Sequence, residues 1–424
     1  MNRISITTLG DLVEFQRGYD LPKSEFRSGN VPVISSNGIL GYHNHAKVKG
    51  PGITIGRSGT VGLPHYIDED FFPHNTALFI KDFKGNHPKY IYYLLKTLSL
   101  NNRGTGSGVP TMNRNHLHPI KISAHLDYNC QVNIAKILSD IDAKIELNNR
   151  INAQLEAMSK LIYDYWFVQF NFPYKKAGTE ALEVPYKSSG GKMVWNKELK
   201  REIPEGWEVK SLAQVTNVSN ESINPLLTPD QEFKHYSIPA YDSLKTYSIE
   251  KGIDIRSNKF MVSDSDILVS KLNPWYSRVI YPVKDNNLIC STEFVVWRTS
   301  NTRIKNYLFM VAKGEHFISH CSQSATGTSN SHKRVNPAVM MQYKVPFNSE
   351  LIQKFGATIN SWIKTGINKR LENQHLTSLR DWLLPMLMNG QVNVHENKQA
   401  SPAMAADEAG RYRTAKNDTN LKSK

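Results

Sequence analysis

Residues 127–167 read DYNCQVNIAKILSDIDAKIELNNRINAQLEAMSKLIYDYWF, 41 positions without a proline or a glycine. Ile134, Leu138, Ile141 and Ile145, then Ile151, Leu155, Met158 and Ile162, follow one another at spacings of 3 and 4. That period predicts an α-helix with one apolar stripe. At 1.5 Å per residue it would be on the order of 60 Å long. A stripe of that length is a seam for another helix. Asn148, Asn149 and Asn152 interrupt it near the middle, where polar residues fix register or mark a change of packing partner.

The second helix lies in the same chain, at about Ser349–Met388, with Ile352, Phe355, Ile359, Trp362, Leu371, Leu376 and Leu379 on its apolar positions. The two stretches are copies. At an offset of 221, Leu138 meets Ile359, Ile141 meets Trp362, Leu155 meets Leu376 and Met158 meets Leu379. Asn115 meets Asn336, and Thr105-Gly106-Ser107-Gly108 returns as Thr326-Gly327-Thr328-Ser329. The openings match at an offset of 203: Thr8-Leu9-Gly10 and Leu12 return as Ser211-Leu212-Ala213 and Val215, so the second copy carries about 18 extra residues before its loop. A period this long is a duplicated module, not a solenoid repeat.

Each copy has one plan. Residues 1–126 and 207–347 read as α/β (α+β) domains, with short β-rich runs broken by Gly, Asn and Pro turns and a helix at Pro88–Leu98. Residues 127–170 and 348–394 read as the long helices, 171–206 as a linker rich in Lys, Gly, Ser and Pro, and 395–424 as a disordered polar tail. Ile134, Leu138, Ile141, Leu155, Met158, Phe355, Ile359, Trp362, Leu376 and Leu379 are the expected helix–helix contacts. An antiparallel coiled-coil pair would put the domains at opposite ends, a dumbbell with a pseudo-two-fold axis. Duplex DNA is a partner that suits such symmetry.

Composition narrows the partners. Fifty-two Lys and Arg against 38 Asp and Glu leave a formal charge of +14, which suits a polyanion, though a solubility charge would look the same. Cys130, Cys290 and Cys321 form no C-x-x-C pair, so neither a disulfide framework nor a zinc site is expected. No window reaches the roughly 18 apolar residues of a membrane span, and a reducing cytoplasm is the expected compartment.

Two kinds of loop recur. Gly56–Gly62 follows a strand and offers Arg57, Ser58 and Thr60. Its counterpart, Ser270–Arg278, offers Lys271, Asn273, Tyr276 and Arg278. The second kind offers Arg103, Thr105, Asn113 and Arg114, answered by Thr328, Lys333 and Arg334. Glycine, hydroxyl and basic residues together can bond phosphates and base edges, although each loop alone also reads as a solvated turn. No phosphate-binding glycine motif precedes a helix, so ATP binding is not expected. Asn273-Pro274-Trp275-Tyr276 is close to the flipping motif of amino-methyltransferases, but Trp275 stands at its third position and no cofactor loop accompanies it. Asp230 and Glu232-Phe233-Lys234 are too close together for a metal-dependent nuclease site, and the histidines show no ligand spacing. No catalytic or metal-binding residue is expected.

The set of fragments resembles the specificity subunit of type I restriction-modification enzymes, over residues 1 to about 394. It comprises Leu9-Gly10-Asp11-Leu12-Val13, Ile53–Gly62, Tyr165-Trp166-Phe167-Val168, Lys187–Trp195, Ile203–Val209 and Leu379–Pro385, in this order and with the duplication. The resemblance implies two target recognition domains, each reading half of a split DNA site, and helices that act as a ruler. It also implies docking of two methylation subunits and two restriction subunits. Those partners would hold S-adenosylmethionine, ATP and Mg, and this chain would hold no cofactor. Two other readings stay open at this level: a methyltransferase or nuclease with a built-in recognition domain, and a helical scaffold that does not bind DNA.

Overall fold

Both long apolar stripes form helices in the computed structural model, which describes residues 4–103, 111–175, 183–327, 332–392 and 394. The first runs Tyr128–Tyr163 and ends in a π-helical turn, Asp164–Val168. The second runs Ser349–Met388. The chain divides into two compact units, Met1–Ala143 with Thr377–Lys424, and Lys144–Leu376, so each helix contributes to both.

In the first unit a four-stranded antiparallel sheet has the order Glu14–Arg17, Ala77–Asp82, Gly52–Gly56, Pro64–Ile67. Val31–Ser35 pairs antiparallel with Gly38–His43 and parallel with Phe72–Pro73. Ile4–Thr8 pairs with Lys121–His125. The helix Pro88–Thr97 buries Tyr90, Ile91, Leu94 and Leu95. Ile134 and Leu138 of the first long helix, with Leu387 and Met388 of the second, complete that core.

The second unit repeats this topology. Its four-stranded sheet runs Asn217–Ser219, Phe294–Arg298, Asp266–Ser270, Val279–Ile280. Glu232–Tyr236 pairs antiparallel with Ser248–Lys251 and parallel with Leu288–Cys290. Glu208–Ser211 pairs with Lys344–Phe347. Two strands without counterpart, Ser222–Ile223 and Lys259–Met261, are added on one side of the second sheet and take up part of the extra length. Both openings start a short helix with a capping box: Asp11 accepts the Thr8 amide at 3.0 Å and Gln214 the Ser211 amide at 2.8 Å.

Three details depart from the sequence reading. Asn336 is the counterpart of Asn113, not Asn115: both cap a short helix and accept the amide two residues on, at 3.1 and 2.9 Å. The offset is therefore 223 here. It returns to 221 at the caps of the long helices, Asp127 and Asn348, because the intervening turn is two residues longer in the first copy. Residues 171–206, expected as a linker, are folded where described. Pro173–Lys175 pairs with Glu183–Pro185, and Met193–Asn196 with Arg201–Pro204. Aromatic residues hidden in that polar composition supply the core: Phe172 stacks on Tyr186 at 4.7 Å and meets Trp207 at 5.3 Å, while the Arg201 guanidinium covers Phe170 at 4.7 Å. The third departure concerns the helix seam and is described below. The tail 395–424 lies outside the described residues.

Candidate nucleic-acid interface

The helix pair carries the loops, so its construction comes first. Within the second unit the helices run antiparallel, from Lys144 against Glu372 (3.5 Å) to Tyr163 against Phe355 (ring centroids 6.1 Å). The polar interruption is a register lock: Asn148 donates to Asn373 at 2.9 Å, and Asn373 donates to Asn149 at 2.9 Å. The buried Asn148 favours this register because a slip would leave its amide nitrogen without the Asn373 acceptor. Glu156 binds Arg370 at 3.4 Å and also Lys313, which ties the second unit's helix Thr302–Lys313 to the first long helix. In the first unit Asp142 does the same, accepting from Tyr93 at 2.7 Å and Arg380 at 2.8 Å.

Ile134, Leu138, Phe355 and Ile359 are fully buried, and Ile141, Leu155, Trp362 and Leu376 are half-buried. Met158 and Leu379 are not seam residues, being 45% and 44% exposed. Ser159 takes the buried position beside Met158, and consecutive helical residues point about 100° apart, so Met158 faces outward. Leu161 and Trp382 lie one turn further on and are also exposed. An outward apolar pair thus recurs at the repeat offset.

In the first unit Arg57, Asn113 and Arg114 come together in a cleft of about 590 Å³, joined by Gln16, Arg17 and Tyr19. The loop's geometry follows from its glycines and backbone bonds. A side chain at Gly56 would collide with the Thr60 carbonyl. Arg57 donates to the Thr76 carbonyl at 2.8 Å, and its own carbonyl accepts the Met112 amide at 2.8 Å, which draws both predicted loops to one strand end. Ser58 bridges to Thr111, and Thr60 is exposed. His118, beneath the cleft, accepts the Phe15 amide at 3.1 Å and is held below the ordinary histidine range by burial, then by Lys84 and Arg114. Arg17 escaped the sequence reading because it ends a strand and enters the cleft only through the fold.

The second unit uses the same frame. Lys271 donates to the Glu293 carbonyl at 2.9 Å and accepts the Val335 amide at 3.0 Å, in the place of Arg57 and Met112. The side chains, however, are committed differently. Arg334 makes two bonds to Glu293, at 2.9 and 3.0 Å. Arg278 makes two to Asp242, both 2.7 Å, and these hold the Asp242 carboxyl below its ordinary range. Asn273 is only 8% exposed and its Oδ1 accepts the Lys333 amide at 3.0 Å. All three residues, expected to touch DNA, thus also brace the loop in the free chain, although one Arg278 guanidinium nitrogen is left without a partner among the described residues and the Arg334 side chain stays 45% exposed. Lys271 and Lys333 are half-buried, and Tyr276 is exposed. The Arg103 side chain, Thr105 and Thr328 lie outside the described residues. Among the described residues no group of three or more His, Cys, Asp or Glu is placed to hold a metal, and no helix is long and apolar enough to cross a membrane.

Comparison with known proteins agrees with this architecture. Residues 3–157 match the type I restriction modification DNA specificity domain. The type I restriction enzyme MjaIX specificity subunit of Methanocaldococcus jannaschii is 24% identical over 324 residues, covering 73% of this chain and 70% of that one. The HindI specificity subunit of Haemophilus influenzae is 21% identical, covering 63% and 68%. The crystal structure of the type I restriction-modification S subunit from M. genitalium superposes with a TM-score of 0.62 at 16% identity, over 93% of this chain and 97% of that one, and so shares the fold. In its N-terminal domain, its duplicated fold and these relatives, the chain is similar to type I restriction-modification specificity subunits.

Proposed function

We propose that this chain is the non-catalytic DNA-reading subunit of a type I restriction-modification complex, each recognition domain reading one half of a bipartite duplex site. The observation that carries the reading is the shared frame: Arg57 and Lys271 directly follow the same strand of the repeated sheet, pinned by the same backbone bond to the second loop. A basic residue fixed at one place in both domains suits contact with phosphate or a base edge. The long helices would set the gap between half-sites, which should lie about 34 Å apart to be read from one face of the duplex.

The outward pairs Met158 with Leu161 and Leu379 with Trp382 support docking of two copies of one partner, a methylation subunit, because exposed apolar surface at one repeat position is what a duplicated interface requires. Restriction subunits would join through that assembly. S-adenosylmethionine, ATP and Mg would be held by the partners.

Methylome sequencing of cells carrying this chain with its methylation subunit, against cells lacking it, tests the reading. A split motif, methylated on both strands and lost on deletion, is the expected result; an assembled complex that methylates no split motif overturns it. Matched four-residue insertions beside Asn149 and Asn373 should lengthen the helix pair by about 6 Å, under two base pairs, and widen the gap while both half-sites stay. Altered half-sites with an unchanged gap would defeat the ruler.

A further inference from the structure

The loop Lys271–Arg278 holds two aromatic rings in solvent. Trp275 and Tyr276 are 41% and 61% exposed, whereas Asn273 and Pro274 before them are buried. The backbone on either side turns sharply: Asn273 and Ser277 both have φ of +48°, in the left-handed region that asparagine tolerates and serine seldom adopts. Cross-bracing holds it there. The Asn273 amide donates to the Lys333 carbonyl at 2.7 Å, the Ser277 amide to the Pro274 carbonyl at 2.9 Å, and the Ser270 amide to the Arg278 carbonyl at 3.0 Å. The Arg278 guanidinium, fixed by Asp242, lies 4.5 Å over the Tyr276 ring. A braced turn that displays two large rings does not stabilise the free protein by burying them. Lys271 and Lys333 flank it with positive charge. At the corresponding strand end of the first unit, Arg57–Leu63 contains no aromatic residue.

We propose that Trp275 and Tyr276 form an aromatic wedge that enters one base step of duplex DNA and unstacks it, so that the second recognition domain reads part of its half-site through deformability. The inference rests on the DNA-reading function proposed above. Its chemistry is general: apolar side chains inserted between base pairs kink the duplex, rings stack on any base, and the energy of opening a step depends on the step's sequence. The flanking lysines favour a polyanion over an apolar protein surface as the occupant. The wedge therefore predicts a preference for a flexible pyrimidine–purine step within the half-site of the second domain.

The test uses the assembled complex with its methylation subunits. A randomised bipartite duplex library selected by the wild-type complex supplies the probe, and 2-aminopurine is then scanned through the purines of both half-sites. The wild-type complex should raise 2-aminopurine emission at one step, in one half-site only. The double variant Trp275→Ala/Tyr276→Ala should lose that signal and bind about ten-fold or more weaker, while still selecting the other half-site, which shows that it is folded. Trp275→Phe/Tyr276→Phe should restore both signal and affinity. A wild-type complex that selects a motif but unstacks no step overturns the wedge alone. So does an alanine variant with wild-type affinity and profile. A wild-type complex that selects no split motif overturns the DNA reading and the wedge with it.

Discussion

At the end of the same strand, the first recognition domain turns through Arg57–Leu63 on two glycines, Gly59 and Gly62, at φ of +79° and +80°. The second turns through Lys271–Arg278 on an asparagine and a serine at positive φ. The first domain gathers Arg17, Arg57 and Arg114 in an open cleft, whereas the second ties Arg278 and Arg334 to Asp242 and Glu293 and pushes aromatic rings outward. The backbone bonds that fix the loops are the same in both domains, and the side chains mounted on them are not. Duplication thus preserved a frame while freeing its surface to change, so under the proposed function the two half-sites should be unrelated in sequence although the two domains are related in fold.

The largest expected effect breaks the second frame alone. Asp266 is fully buried, accepts two bonds from Arg298 at 2.7 and 3.0 Å and takes the Ser263 amide at 2.7 Å. The first domain has Gly52 at the matching start of its central strand. Breaking a fully buried ion pair costs on the order of 3 kcal/mol, and Asp266→Ala should cost less, because Arg298 is 29% exposed and keeps Glu221 at 2.6 Å. Asp266→Ala should lower the urea midpoint of the second unit and abolish reading of its half-site, with the first unit's transition unchanged. A single transition displaced as a whole would mean that the two domains do not unfold separately.

Arg57→Ala and Lys271→Ala sharpen the comparison at the position the two frames share. A base-reading residue should cost about 1–3 kcal/mol and relax one position of its own half-site. A phosphate-binding one should weaken all sequences alike and flatten the salt dependence of binding. Arg17→Ala should behave like Arg57→Ala, since both line one cleft. If both variants keep wild-type affinity in a salt titration, the cleft is not the contact surface.

Proton uptake separates the domains as well. Lys305 is 2% exposed, donates to the Asp264 and Pro282 carbonyls at 2.7 and 2.9 Å and lies 3.4 Å from the Tyr281 ring. Burial pulls its amino group down to about 7. Among the described residues of the first unit no lysine is buried. Between that value and the ordinary lysine range the unfolded chain holds the proton and the folded chain does not, so stability rises as pH rises from about 7. The slope is at most about 1.4 kcal/mol per pH unit, and the two carbonyl bonds, which also favour the charged amine, reduce it. Burial also pulls the Lys313 amino group of the same unit down to about 7. Urea melts at pH 7 and pH 9 should therefore show the second unit gaining stability, and Lys305→Met should remove only the Lys305 share of the gain.

The helices and the duplication were legible because they are written in local chemistry: a period of 3 and 4 without Pro or Gly, and caps such as Thr8 and Ser211 that recur at a fixed offset. The readers were only half legible. Arg57, Asn113 and Arg114 share a cleft with Arg17 that no spacing signals, since four segments of chain meet there. Asp242 lies 36 residues from Arg278 and Glu293 lies 41 from Arg334, so the pairing that withdraws those arginines is a property of the fold. Residues 171–206 misled for the opposite reason: composition counted Lys, Gly and Ser and passed over Phe172 and Tyr186, which decide whether the segment packs.

The smallest effect is the sharpest test of that withdrawal. Arg334 was an expected DNA contact by residue type, yet its guanidinium is half-exposed and bonded twice to Glu293, which raises its already high affinity for the proton. Exposed ion pairs contribute about 0–1 kcal/mol. If Glu293 occupies the arginine in the complex as in the free chain, Arg334→Ala should change DNA affinity less than three-fold and leave the salt dependence alone, in contrast to Arg57→Ala. Glu293→Gln should then tighten binding slightly, by releasing the guanidinium towards phosphate. A ten-fold loss for Arg334→Ala would mean that the arginine leaves Glu293 on binding, and the two domains would then resemble each other in chemistry as well as in frame.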